Sequence, residues 1–290
     1  MITFREFLAE GGAATEKWKT ERATSADVQA ALEFTSKATG LSLAELKKNL
    51  LGSGRLTLGG SKDDSGDVDI AVKASDLSSI NKKMMDAVEG KGSFNSGTKI
   101  GSYAVPVNSK RVQVDLMFVE DLAWARFMFH ASESSKFPGA VRNIILFAAL
   151  SRRQEPEKDV VLRDEETGKV IARASRSIHM NAGMKRLFKA IKLNKKTGKL
   201  NKNLETVTPA ELETHLRTLG SSAKFSKEVD LVSDPDKVAA FIFGPGVKAT
   251  DIMTAEDIIR QVKKLKNSAE ILSAAKADLE KLNLPVPAEL

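Results

Sequence analysis

Cysteine is absent from this chain of 290 residues, which excludes disulfides, thiolate zinc sites and a cysteine nucleophile, and fits a reducing cytosol. Histidine is scarce: His130, His179 and His215 form no cluster that suggests zinc. His130, placed after Met128 and Phe129, reads as a helix-end or packed residue rather than a catalyst. Long apolar runs are missing as well, so no segment is expected to cross a bilayer. The opening Met-Ile-Thr-Phe-Arg-Glu-Phe-Leu alternates charged and apolar groups too closely for a secretory signal. We therefore expect a soluble, cytoplasmic protein with no membrane partner.

What is present is enough apolar material for one large domain or two ordinary ones, and an excess of positive charge. The net charge of +7 and a pI near 9.4 favour anionic partners such as nucleotides or nucleic acids. The excess is uneven. Lys185 to Lys202 holds eight basic residues and no acidic one. This run is either a solvated helix face and loop or a groove for a phosphate backbone. Trp124 and Tyr103 could stack on a base, but their apolar settings favour the core.

Along the chain, Thr3 and Glu6 can form a capping box that opens a helix, and further helices are expected at 25–38 and 42–51. Arg55 to Leu58 reads as a short strand, and Gly59 to Gly66 as a tight polar connection in which Asp63 and Asp64 are turn residues. A strand from Asp67 to Val72 follows. Asp76 can cap the next helix, on which Leu77, Ile80, Met84 and Val88 fall at near-helical spacing. Tyr103 to Val107, Asn108 to Lys110 and Arg111 to Val119 read as strand, turn and strand. Apolar helical tracts follow around Trp124 and from Val141 to Leu150, and a hairpin is expected over 159–175 around Glu166-Thr-Gly168. The remainder reads as mostly helical, with starts at Thr208, Ser233 and Thr254 and a long charged helix to about Leu282. A boundary at Ser151 to Pro156 divides the chain into 1–155 and 156–290.

Chemistry is concentrated in two segments, Gly-Asp-Val-Asp-Ile-Ala-Val around Asp67 and Asp69, and Val-Gln-Val-Asp-Leu-Met-Phe around Asp115. Side chains alternate between the faces of a strand, so Asp67 and Asp69 point one way while Val68, Ile70 and Val72 point the other. A helical crossover can return the chain to the same sheet and bring Asp115 beside them. Such a cluster repels itself unless cations fill it, and hard divalent ions, Mg2+ (or Mn2+), suit three carboxylates and the oxygens of a nucleotide. Other motif readings fail on spacing. Gly59 to Lys62 lacks the order of a P-loop, Gly52-Ser-Gly54 lacks the third glycine of a dinucleotide fingerprint, and Val68 stands where an EF-hand loop needs glycine.

Leu58-Gly59-Gly60-Ser61, then Asp67-Val68-Asp69, then Val114-Asp115-Leu116, resembles the DNA polymerase beta-like nucleotidyltransferase superfamily over roughly residues 55–119. The resemblance implies an α+β fold, with a mixed β-sheet core followed by a mainly helical C-terminal region that shapes the acceptor site. It implies an enzyme that moves a nucleoside monophosphate from a nucleoside triphosphate such as ATP to a hydroxyl. The leading acceptor is a nucleic acid end such as the 3′ end of a transfer RNA; a small molecule or a protein side chain is the alternative. Asp67, Asp69 and Asp115 would hold the metal, and Gly59, Gly60, Ser61 and Lys62 would contact the triphosphate. Ser61 and Asp67 stand closer together than is usual for the family, so this loop would be rebuilt. Lys136, Arg142 and Asn143 sit where the fold often places groups that touch the nucleotide, with plain solvation as the alternative. The Gly-Gly-Ser-Lys element also resembles that of nucleotidyltransferase toxins of toxin–antitoxin systems, and the first residues resemble the starts of tailed-phage proteins, which would place the chain in a host cytoplasm. The rival reading is a nucleic-acid-binding or structural protein that kept the fold without turnover.

Overall fold

A computed structural model describes residues 15–152, 161–163, 170–180, 182–193, 200–218 and 231–290. The helix expected from Thr3, most of the Ser151 to Pro156 boundary, the Glu166 to Gly168 turn and positions 194–199 of the basic run lie outside those residues.

The N-terminal half is built on a short ribbon and a larger sheet. Strand β1 (Ala23–Thr24) pairs antiparallel with β2 (Asp64–Ser65). Helix α1 (Ser25–Thr39) starts at Thr24, whose side chain and that of Asp27 form a reciprocal capping box. It buries Val28, Ala31, Leu32 and Thr35, a stripe at helical spacing. Helix α2 (Leu43–Lys48) is capped by Ser42, which accepts the Glu45 N–H at 3.2 Å. Helix α3 (Gly52–Leu58) replaces the strand expected at Arg55 to Leu58. Leu56 and Leu58 alternate with polar neighbours, but over so few positions that the pattern also suits one helical turn. The burial of Gly54 and Thr57, three apart, is what the helix uses.

Strand β3 (Val68–Lys73) leads through a short 3-10 turn, Ala74–Asp76, to helix α4 (Leu77–Ala87), which buries Ile80 and Met84. Asp76 precedes that helix without the capping bond expected of it. Strands β4 (Gly92–Asn95), β5 (Ile100–Val107) and β6 (Lys110–Val119) complete a four-stranded mixed sheet in the order β3-β6-β5-β4. Only β3 and β6 are parallel, the consequence of the α4 crossover between them. One face of this sheet, with Val68, Ile70, Tyr103, Val105, Val114, Leu116 and Phe118, joins α1 and α4 in a single core. Tyr103 is fully buried there and donates its hydroxyl to Asn81 at 2.6 Å, so it belongs to the core rather than to a base-stacking platform.

Beyond Glu120, Asp121 caps helix α5 (Leu122–Met128), and helix α6 (Gly139–Ser151) follows after a loop. The next described part corrects the expectation of a mainly helical remainder. Strands β7 (Val161–Arg163), β8 (Val170–His179), β9 (Gly183–Leu193), β10 (Leu200–Val207) and β11 (Leu231–Val232) form a second, antiparallel sheet, with helix α7 (Pro209–Thr218) packed on it. β7 and β8 pair as the expected hairpin requires. The described part of the basic run lies on β9 and the start of β10, not on a helix. Met184, Phe188 and Ala190 are buried at even positions, with Ile191 buried beyond them, a strand period that the sequence hides because Leu187, Phe188 and Ile191 also fit a helix face.

The C-terminal helices are α8 (Pro235–Phe243), α9 (Ala255–Val262) and α10 (Ser268–Lys281). The expected long helix is thus broken at 263–267. α5 and α6 share their core with α8, α9 and α10, so the apolar interior divides near Glu120. Trp124 is fully buried in that second core and donates Nε1–H to the His179 carbonyl at 2.9 Å. Among the described residues, no helix is long and apolar enough to cross a membrane. Thr254 and Asp257 form a capping box on α9, with N–H bonds of 3.0 and 3.1 Å. Thr254→Ala should lower unfolding free energy by about 1 kcal/mol in urea titrations, with an unchanged denaturant slope.

Candidate metal centre

The parallel pairing of β3 with β6 fixes the register Val68 to Val114, Asp69 to Asp115 and Ile70 to Leu116. Valine, isoleucine and leucine go into the core on one face. The aspartates go to the other. Asp67, just before β3, joins them, and one carboxylate oxygen from each of Asp67, Asp69 and Asp115 lies within 4.8 Å of the others. Asp115 is buried, and Asp67 and Asp69 are half-buried. The same face continues into a small apolar floor of Leu51, Ala71, Met117, Val119 and Ala125.

A second element closes on this cluster. Asn49 to Leu51 run along the free edge of β3, where the Leu51 N–H bonds to the Asp69 carbonyl at 2.9 Å and the Ala71 N–H to the Asn49 carbonyl at 3.0 Å. Helix α3 then begins directly beside Asp69. At Gly52 φ is +53°, and a Cβ there would stand 3.0 Å from Asp69 Oδ2, so the turn admits glycine for both backbone and space. Its N–H donates to the Phe129 carbonyl at 3.1 Å. The Ser53 hydroxyl pairs with that of Ser65, which in turn donates to the Asp67 carbonyl at 2.7 Å. In the sequence, Gly52-Ser-Gly54 shows only an incomplete dinucleotide fingerprint. A glycine after two buried leucines, ahead of the Asp-x-Asp strand, was the available signal.

The segment from Gly59 to Lys62 lies elsewhere, past the C-terminal end of α3. The N–H groups of Gly59, Gly60 and Ser61 donate to the carbonyls of Arg55, Thr57 and Leu56 at 3.0–3.1 Å, so they cap the helix and are not free for phosphate oxygens. All four residues are exposed. The Lys62 ammonium is near enough to stabilise the Asp67 carboxylate, as is Arg22. Asp64 pairs with Arg22 at 2.8 Å on the surface and stands on β2 opposite Thr24, not in the turn expected of it.

The side chains of Arg142 and Asn143 are held away from the cluster, and Lys136 is tied through its backbone. Lys136 is exposed, and its backbone N–H donates to Glu256 at 3.0 Å. Arg142 is neither solvated nor facing the cleft. It is buried against the Phe127 ring and donates to the Ile252 carbonyl at 2.8 Å and to Asn143 Oδ1 at 2.9 Å. Asn143 donates to the Met128 carbonyl at 2.9 Å. His130 is half-buried at the end of α5, where burial and the nearby Arg55 and Arg142 push its pKa down to about 4.

Burial raises the proton affinity of all three aspartates; neighbouring carboxylates add to the rise at Asp69, which lies well above the usual range, and at Asp115, pushed up to about 7, whereas Lys62 and Arg22 oppose it at Asp67. Asp115 is partly relieved by hydrogen bonds from Ser102 and Gln113. The donor set is all oxygen and carries three formal negative charges. Those properties suit a hard divalent cation. Compared with known proteins, the chain matches no protein-family model and no curated protein sequence.

These shifts set the sign of two effects. A carboxyl whose pKa is raised in the folded chain favours folding while protonated. The ion-free protein should therefore lose stability as pH rises from about 4, where the unfolded carboxyls ionise, towards about 7, where Asp115 does. Asp69→Asn should raise the melting temperature of the ion-free protein at pH 7.5 by about 2–6 °C, with a much smaller gain near pH 4. Calorimetric melts across pH, in a chelating buffer and in Mg2+, measure both. Gly52→Ala should cost about 1–3 kcal/mol and weaken Mg2+ binding, because the added methyl presses on Asp69. Titration calorimetry and denaturant melts separate those two effects.

Proposed function

We propose that the chain is a metal-dependent nucleotidyltransferase with a DNA polymerase beta-like catalytic core. It transfers a nucleoside monophosphate from a nucleoside triphosphate to the hydroxyl of a nucleic acid end. The reading is carried by one observation: carboxylates from two adjacent parallel strands meet on one face of a mixed sheet, beside a helix that starts on a positive-φ glycine.

In this reading Asp67, Asp69 and Asp115 hold Mg2+ or Mn2+. Bound there, such ions supply charge neutralisation for the triphosphate and make a hydroxyl more acidic. The protein's residues do the rest. The Lys62 ammonium and the Arg22 guanidinium, on the Asp67 side of the cluster, draw the polyphosphate towards the carboxylates. Gly52 keeps the start of α3 clear of Asp69. The acceptor oxygen bonds to the α-phosphorus, its proton passes to a carboxylate oxygen of Asp115, and the bond from the α-phosphorus to the bridging oxygen breaks to release pyrophosphate.

The net charge of +7 and the basic strand β9 support a nucleic acid as acceptor. The same charge also favours a non-catalytic nucleic-acid binder, whose binding would weaken steeply with salt and ignore Asp69. Incubating the purified protein with each labelled triphosphate, total cellular RNA and Mg2+ or Mn2+ decides between them. Label should appear on RNA. Asp69→Asn should cut transfer at least about 100-fold, since loss of a direct ligand exceeds the effect of losing an outer partner. Salt-sensitive RNA binding without transfer, equal in both proteins, would sink the catalytic reading.

A further inference from the structure

We infer that Gln113 is a positioning residue of the cation site: oriented by Thr15, it fixes the Asp115 carboxylate that would hold a divalent ion. This rests on the proposed metal centre and adds residues that no family pattern used above contains.

Gln113 is buried on β6, two positions before Asp115 and therefore on the same face. Its Nε2 donates to both oxygens of that carboxylate, at 3.1 and 3.0 Å. Its Oε1 accepts the hydroxyl hydrogen of Thr15, which is fully buried and also bonded to the Thr20 hydroxyl at 3.0 Å. The amide can sit only one way. Turned over, it would set its carbonyl oxygen against two carboxylate oxygens.

The choice of an amide is chemically pointed. Lysine or arginine at this place would neutralise Asp115 and compete with a metal ion. Glutamine carries no charge, so it fixes the carboxylate and leaves its negative charge intact for a cation. Each carboxylate oxygen has two acceptor directions, so the bonds from Nε2 to both oxygens and the one from Ser102 still leave a direction free for a cation. The strap that carries Thr15 is itself fastened to the start of β6. The Glu21 N–H donates to the Arg111 carbonyl at 2.8 Å, and Lys110 bonds both the Arg22 carbonyl at 2.6 Å and Asp27 at 2.7 Å. The geometry thus runs from strap to amide to ligand.

The test is Mn2+ binding to the full chain, read by electron paramagnetic resonance and calorimetry with no nucleotide present. Gln113→Leu should bind Mn2+ about 10–100-fold more weakly than the wild type. Thr15→Val leaves the amide in place and unanchored, and should weaken binding several-fold in the same direction. Thermal melts in chelating buffer accompany each variant; should Gln113→Leu fail to fold, Thr15→Val carries the decision. A merely structural role predicts lower melting temperatures with unchanged Mn2+ affinity, and that result overturns the inference. If the wild type takes up Mn2+ and a folded Gln113→Leu matches it, the positioning role falls and the metal centre stands. If the wild type takes up none, both fall.

Discussion

The parallel contact between β3 and β6 is the constraint on which the rest depends. It is the only parallel pairing among the described strands, and it sets Asp69 directly beside Asp115. Like charges placed so close repel by about 3 kcal/mol per pair at an effective dielectric near 20. The opposite face of the same two strands buries Val68, Ile70, Val72, Val114, Leu116 and Phe118. Each such side chain contributes about 1.5–3 kcal/mol on burial, so the six together, at about 9–18 kcal/mol, match or exceed the three pairwise repulsions. Slipping the register by one residue would relieve the acidic face only by exposing the apolar one. The core therefore enforces the cluster.

Much of this could be read from the residues themselves. The alternation of aspartate with valine, isoleucine and leucine defines which faces are wet and which are dry, and the helix at Leu77–Ala87 supplies the crossover that parallel strands need. The three aspartates were legible for that reason. The element beside them was not. Gly52 owes its position to a positive φ and to the proximity of Asp69, both properties of the folded chain, whereas Gly59-Gly60-Ser61 offered a stronger local pattern and turned out to terminate α3. A glycine pair beside a serine serves equally as a helix stop, and only the destination of its N–H groups tells the uses apart.

The second sheet shows a related ambiguity. In Lys185 to Leu193 the apolar residues satisfy a helical face and a strand face at once, and local propensity does not choose between them. The choice is made by partners distant in sequence: Ala172 opposite Ala190, and Val207 opposite Phe188. Together with Leu212 of α7 these residues form a small core of their own. Arg142 misled in the opposite sense. An arginine near the start of an apolar helix reads as exposed or ligand-facing, yet here its guanidinium lies on Phe127 and ties α6 to the Ile252 carbonyl before α9. It binds the helical core together from inside.

That internal tie also bears on the acidic centre. Asn143, next to Arg142, holds the Met128 carbonyl, and the adjoining Phe129 carbonyl accepts the Gly52 N–H where α3 begins. The end of α5 is thus fastened on one side to α6 and on the other to the turn that faces Asp69. Because the Gly52 N–H would otherwise be one of the unsatisfied donors of a helix start, the Phe129 carbonyl determines where that start can sit. The helical core and the sheet are in this way parts of one arrangement. The sheet supplies the carboxylates, and the helices beyond Glu120 hold in place the glycine turn that borders them.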